Sequence, residues 1–386
     1  MDTVAPPAIP KLEGYIKGRF IIGLIAVIAV LAGGTWLVIN QNSGPQPVTI
    51  SCVGGSEKTA LMRDPEVIKI LDKKYNITVK WTSMGSYDQV LLSKDDIESR
   101  GFNCLWPSSA SARNVFEATH RGEFSDYRAE TVLQSPEVIY AGPQGTEALT
   151  KAGLVTEQDG HHVLDFKALL NDHIVPKKQW QELKAGNLRG PINVSSTDPV
   201  KSNSGFTLAQ LELTMLASAD PYQSPSIAEA RDALPTMRQI YDAQGLQATS
   251  SDNGFRQWLT QGGEYSAPLY AGYESQIIQQ MTVGGNPEHL MKNVTMMCPD
   301  PTVYSDHPIL AINNDAQRLI EAMKDEEIQK LAWTKYGFRS SVNAAYNDMS
   351  IFETLPLAEQ FIAVPAPNSE VTLALLECLR DRTTCK

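Results

Sequence analysis

Three times between residues 48 and 120 a strand pattern is followed by a helix pattern. A short run of β-branched or aromatic residues precedes a helix-like stretch each time, and in the first and third units glycine or small hydroxyl residues stand between the two. The first unit is 48–53 (VTISCV), then Gly54-Gly55-Ser56, then 58–73. The second is 77–82 (ITVKWT), followed by a short helix over 86–92. The third is 102–106 (FNCLW), then Pro107-Ser108-Ser109-Ala110-Ser111, then a helix to His120. Strands alternating with helices at this spacing predict βαβ units and a mostly parallel, doubly wound α/β sheet. Such sheets take ligands outside the carboxyl ends of their strands.

The pattern continues. Residues 138–140 begin a further strand, and 192–195 (INVS) is another, entering Thr197-Asp198-Pro199. Ser202-Asn203-Ser204-Gly205 opens a helix through Met215, and 226–243 is helical by pattern. Residues 267–271 form a short strand before 273–281. Residues 294–297 and 302–312 are extended, and helices over 316–323 and 326–336 finish the body. A last helical stretch, 371–379, lies in a segment that packs back on that body. At 386 residues the chain is long enough for two or three domains.

Ahead of these elements, residues 20–39 (FIIGLIAVIAVLAGGTWLVI) carry no charge. Twenty helical residues span about 30 Å, the thickness of a bilayer's hydrocarbon core. Lys11, Lys17 and Arg19 precede the run, and no charge follows it until Glu57. A cleaved signal peptide is the competing reading, but the run is longer than the roughly 7–15 residues such peptides use and no small-x-small site closes it, so it reads as an uncleaved signal-anchor. The positive-inside rule puts 1–19 in the cytoplasm and the body outside, in the periplasm or at the cell surface. Residues 40–47 read as a linker. An exported body can form disulfides. Cys378 and Cys385 are close enough to close a loop, Cys52 and Cys104 can meet only if their strands are neighbours, and Cys298 is left over.

Several functions are excluded. A formal net charge of −11 argues against nucleic acid as partner. No Gly-x-Ser-x-Gly elbow marks a nucleophile, and His161-His162 reads as part of a loop. No Cys-x-x-Cys or His-x-x-x-His spacing occurs, so no metal or cofactor is expected. The positive sequence signal is the set of small-residue clusters where strands become helices. Helix starts leave N–H groups unpaired and hold partial positive charge, so they suit polar oxygens and anions.

The order of these features resembles the type II periplasmic solute-binding proteins, of the molybdate, tungstate and phosphate-receptor type. The resemblance covers about 48–340. It rests on the opening strand with Gly54-Gly55-Ser56, on Pro107-Ser108-Ser109, and on Thr197-Asp198-Pro199 with Ser202-Asn203-Ser204-Gly205. Tyr270-Ala271-Gly272-Tyr273-Glu274, the segment 301–308 (PTVYSDHP) and Gly337-Phe338-Arg339 complete it. It implies two α/β lobes joined by hinge strands: 48–132 and 301–340 in lobe one, 133–300 in lobe two, and 341–386 as an extension. It also implies that a small polar ligand, an oxyanion in the first instance, is clamped between the lobes for uptake or sensing, with a membrane permease or other membrane-complex subunit as partner. By position, Ser56, Ser108 and Ser109 would touch ligand from lobe one, and Ser204, Gly205 and Tyr273 from lobe two.

Three features depart from that family. An anchor replaces release or lipidation, and the extension after Ser340 is longer than the fold needs. Glu57 and Glu274 flank the expected cleft, where one unpaired like charge would cost an oxyanion about 4 kcal/mol. They must point away or pair with Arg113 or Arg256, or else the ligand is not an anion. The alternative is a binding-protein scaffold serving as a structural or sensor subunit of a membrane complex.

Overall fold

The computed structural model describes residues 46–283, 290 and 292–385. The expected anchor at 20–39 lies outside them. Among the described residues no helix is long and apolar enough to cross a membrane.

The first three strands form where the alternation predicts: β1 (Val48–Gly54), β2 (Ile77–Ser83) and β3 (Cys104–Trp106). β1 lies between β2 and β3, parallel to both, with Cys52 directly opposite Cys104. The two cysteines form a disulfide, and Cys378 with Cys385 forms another, while Cys298 is free and buried.

β4 (Arg128–Ala141) is 14 residues long and belongs to two sheets. Its first half pairs antiparallel with β9 (Tyr304–Ala311), which also lies antiparallel to β3, and with β10 (Arg339–Ser340). Its second half pairs with β7 (Leu269–Tyr273) and β8 (Thr295–Asp300). β8 runs parallel to β6 (His161–Asp165), which forms a hairpin with β5 (Val155–Gln158). The chain therefore crosses between the two mixed sheets along β4 and returns through the β8–β9 connection.

Several local expectations change. The single helix expected over 58–73 is broken into a 3-10 turn (Ser56–Lys58), a short helix (Thr59–Met62) and the helix Pro65–Tyr75. Pro65 cannot continue a helix, but it suits a first turn, and the Asp64 side chain caps that new start by accepting from the N–H groups of Glu66 and Val67. The loop expected around His161-His162 is the β5–β6 hairpin, because Asp159 and Gly160 turn the chain at φ 48° and 83°. The strand expected at 192–195 shrinks to one bridge between Ser195 and Tyr270.

Within the compact body Val48–Lys386, one apolar core runs between the elements packed on the first sheet and those packed on the second, here called its first and second halves. It joins Val53, Leu105, Val115 and Phe116 from the first half to Phe206, Leu213, Leu234 and Met237 from the second. Tyr87 and Phe206 meet within it at a ring separation of 4.2 Å.

Candidate ligand-binding cavity

Four helix starts converge on one cavity of about 240 Å³. Gly55 precedes the turn Ser56–Lys58, Gly85 the helix Ser86–Val90, Ser202 the helix Asn203–Ala217, and Ser250 the helix Ser251–Thr260. All four residues line the cavity, and none of the four starts is capped by its own side chain. Elsewhere Asp64, Ser93, Ser109 and Ser226 do cap the helices they open. First-turn N–H groups lack partners within a helix, so the four starts bring such donors to one space, although at the start of Asn203–Ala217 the Thr197 hydroxyl already accepts one of them, the N–H of Gly205.

Hydroxyls surround these starts. Ser56, Ser83, Ser86 and Thr249 line the wall. Ser202 and Ser251 stand 3.0 Å apart, and Ser251 donates to Ser204, which lies 2.7 Å from Thr197. The two halves meet at Gly85, where a β-carbon would strike the backbone carbonyl of Lys201. Asp88 and Lys201 also face the cavity, and among the described residues neither side chain has a hydrogen bond or ion pair.

The inner wall is a buried charge network. Lys58, fully buried, donates to Glu57 at 2.6 Å and to Ser108 at 2.8 Å, and its Nζ lies 3.1 Å from Nδ1 of His307. Ser108 donates its hydroxyl to Glu57 as well. Burial works to raise the Glu57 pKa, but the charge and hydrogen bond of Lys58 and the Ser108 hydroxyl outweigh it and bring it down to about 2. Burial, reinforced by the Lys58 charge, holds His307 well below the usual histidine range, so its ring is neutral. Glu57 and Lys58 thus cancel, and the inner wall adds no net charge.

The six residues expected at the ligand fall into two groups. Ser56 and Ser108 line the cavity. Ser109, Ser204, Gly205 and Tyr273 are buried behind its wall, each engaged by the protein itself. Ser109 caps the helix Ala110–Thr119 through the N–H of Ala112. Gly205 donates its N–H to Thr197 at 2.9 Å. The Tyr273 hydroxyl accepts from Asn203 at 3.0 Å, and Asn203 also donates to the Ser108 carbonyl at 2.8 Å.

The carboxylate question resolves differently from either expected arginine. Arg113 pairs with Glu117 and Arg256 with Asp252. Glu57 pairs with Lys58, and Glu274, outside the cavity wall, pairs with Arg339. Gly85, Ser250 and Ser251 were missed as site residues. Their signal was present in Met84-Gly85-Ser86, a fourth small-residue junction after a strand, and in the hydroxyl run Thr249-Ser250-Ser251 before a helix. Among the described residues no group of three or more His, Cys, Asp or Glu could hold a metal ion.

Similar folds occur among solved structures. The substrate-binding protein of an ABC transporter from Agrobacterium tumefaciens matches with a TM-score of 0.52 at 14% identity, over 89% of this chain and 96% of that one. This chain has the fold of a periplasmic binding protein. The sulfate-binding protein SubI from Mycobacterium tuberculosis matches with a TM-score of 0.50 at 14% identity, over 82% and 94% of the two chains. The apo ferric ion-binding protein A of Pasteurella haemolytica gives 0.53 at 11% identity, over 88% and 98%. No family model and no curated protein matches the sequence. In this binding-protein fold the cavity lies where first-half and second-half helix starts face each other.

Proposed function

We propose that the chain is a membrane-tethered, extracytoplasmic solute-binding protein that captures a small polar ligand, of oxyanion chemistry, between its two halves. The observation that carries this reading is the convergence on one cavity of four helix starts, none capped by the side chain of the residue that opens it. A ligand with several oxygens satisfies those donors together, and selectivity follows because a buried donor left unpaired costs about 1–3 kcal/mol. The internal pairing of Glu57 removes the repulsion that its position threatened. Two disulfides and the charge asymmetry around 20–39 support an oxidising, extracytoplasmic location. The substrate-binding protein of an ABC transporter among the structural matches supports delivery to a permease, for uptake or sensing.

The test is calorimetric titration of the full chain with sulfate, phosphate and molybdate, beside the variant Ser250→Asp. Aspartate is a favoured cap, so the variant keeps its helix while bringing a carboxylate into the cavity. At about 4 Å that charge costs an anion about 4 kcal/mol, close to a thousandfold in affinity. Equal binding by both proteins would remove the anion from this cavity. The apolar core shared between the halves favours a second reading, a scaffold or sensor subunit of a membrane complex. Failure of every oxyanion, sugar, amino acid and polyamine to stabilise the protein would select it.

A further inference from the structure

The segment after Ser340 touches both halves of the molecule in turn. Its first part is held by Arg339, which donates to the carbonyls of Ala358 and Glu359. It then pairs with the β8–β9 connection: Thr302 donates to Ile362 at 2.9 Å, and Val364 donates to Thr302 at 2.8 Å. Ser224 of the second half donates to the Pro365 carbonyl, and Asn114 of the first half donates to that of Pro367 at 3.2 Å.

The helix Ser369–Arg380 then lies against Ala110–Thr119 on one side and Ile227–Ala243 on the other. The former packs on β9 of the first sheet. The latter packs on Asn203–Ala217, which rests on β7 of the second. Val371, Leu375, Leu376 and Leu379 are buried in the core that joins the halves. The end is fixed by Arg238, which donates to the carbonyls of Cys378 and Leu379, by the Arg382–Asp242 ion pair, and by the Cys378–Cys385 disulfide.

We propose that segment 341–385 is a strap across the two halves, and that they separate around the cavity only when the helix Ser369–Arg380 leaves its groove. A groove formed by two bodies is filled by one helix, so parting the bodies exposes that helix's apolar face to water, and the same burial opposes the motion. Gating of ligand exchange by the strap rests on the solute-binding reading. The mechanical lock does not.

The experiment measures distance in the full chain, with spin labels at Lys69→Cys in the first half and Glu157→Cys in the second, both exposed. With the strap intact a single narrow distance is expected. Leu376→Asp, which places a charge in the shared core, should add a longer and broader population. Asn114→Ala combined with Arg238→Ala removes only polar anchors and should move the distances the same way by less. Hydrogen exchange over 369–380 reports whether the helix has detached. A detached helix with unchanged distances, in either variant, overturns the proposal. If Leu376→Asp unfolds the chain, the polar pair decides by the same criterion. Inorganic phosphate added to each sample separates the two readings. Distances that widen without any phosphate binding leave the lock standing and count against the anion.

Discussion

Arg339 holds Glu274 with two parallel bonds of 2.6 and 2.7 Å, between side chains that are 5% and 0% exposed. The pair joins β10, at the edge of the first sheet, to the helix Glu274–Thr282 that follows β7 of the second. Removing one partner from such a pair leaves a charge buried alone, which costs about 3–5 kcal/mol. Arg339→Met should lower the unfolding free energy by that amount, read from denaturant titration. Adding Glu274→Leu should restore most of it. A double variant as unstable as the single one would show that the loss comes from the Ala358 and Glu359 carbonyls instead.

Acid should destabilise the protein through Glu57. Its folded pKa of about 2 lies below the ordinary 4.5, so its contribution is complete above pH 4.5 and is lost as pH falls towards 2. The full difference is on the order of 3 kcal/mol. Glu57→Gln should flatten this acid limb in unfolding curves taken at pH 2, 3, 4 and 5. An acid limb of unchanged slope in the variant would assign the loss to other carboxylates.

Glu212 should act in the opposite direction. Buried in Asn203–Ala217, its carboxyl is pushed by burial up to about 8. The unfolded chain ionises first, so stability is complete below pH 4.5, declines above it, and has lost the whole difference by pH 8. Glu137 in β4, with both carboxyl oxygens unpartnered among the described residues, is pushed upward by burial as well. Glu212→Gln should therefore raise stability at pH 8 by on the order of 4 kcal/mol and leave it nearly unchanged at pH 4.5. A variant equally stabilised at both values would point to packing.

Gly85 should not tolerate alanine. Its φ of −59° and ψ of 145° suit any residue, so the lost backbone freedom of the unfolded chain would by itself favour alanine by about 0.4–1 kcal/mol. The new methyl strikes the Lys201 carbonyl, a backbone atom. A net loss of about 1–3 kcal/mol is expected from overpacking, together with a larger radius of gyration in X-ray scattering. A neutral or stabilising Gly85→Ala would mean that the halves are not in contact there.

The sequence made β1, β2 and β3 legible because each is a short β-branched or aromatic run followed by a helical pattern. The first half of β4 was missed because Ser135-Pro136 interrupts it, and proline in a strand normally argues against one. The β5–β6 hairpin was missed although Asp159-Gly160 is a strong two-residue turn signal. In the cavity, Ser56 and Ser108 were found because they follow predicted strands directly. What the sequence could not show was which partner each buried carboxylate takes. Arg339 is 65 residues from Glu274, and nothing local distinguishes it from Arg113 or Arg256. Likewise, a serine before a helix looks the same whether its side chain caps that helix, as that of Ser109 does, or does not, as with Ser202 and Ser250.

The middle of the first sheet is assembled from opposite ends of the chain, since β3 and β4 both pair with β9. A polypeptide delivered N-terminus first therefore offers β1, β2 and β3 long before the strand that covers the open edge of β3 has emerged. Unpaired strand edges recruit other chains, and pairings this distant in sequence form slowly. During synthesis the β3 edge therefore stays open to such pairing for a long interval, which ends when residues 304–311 arrive.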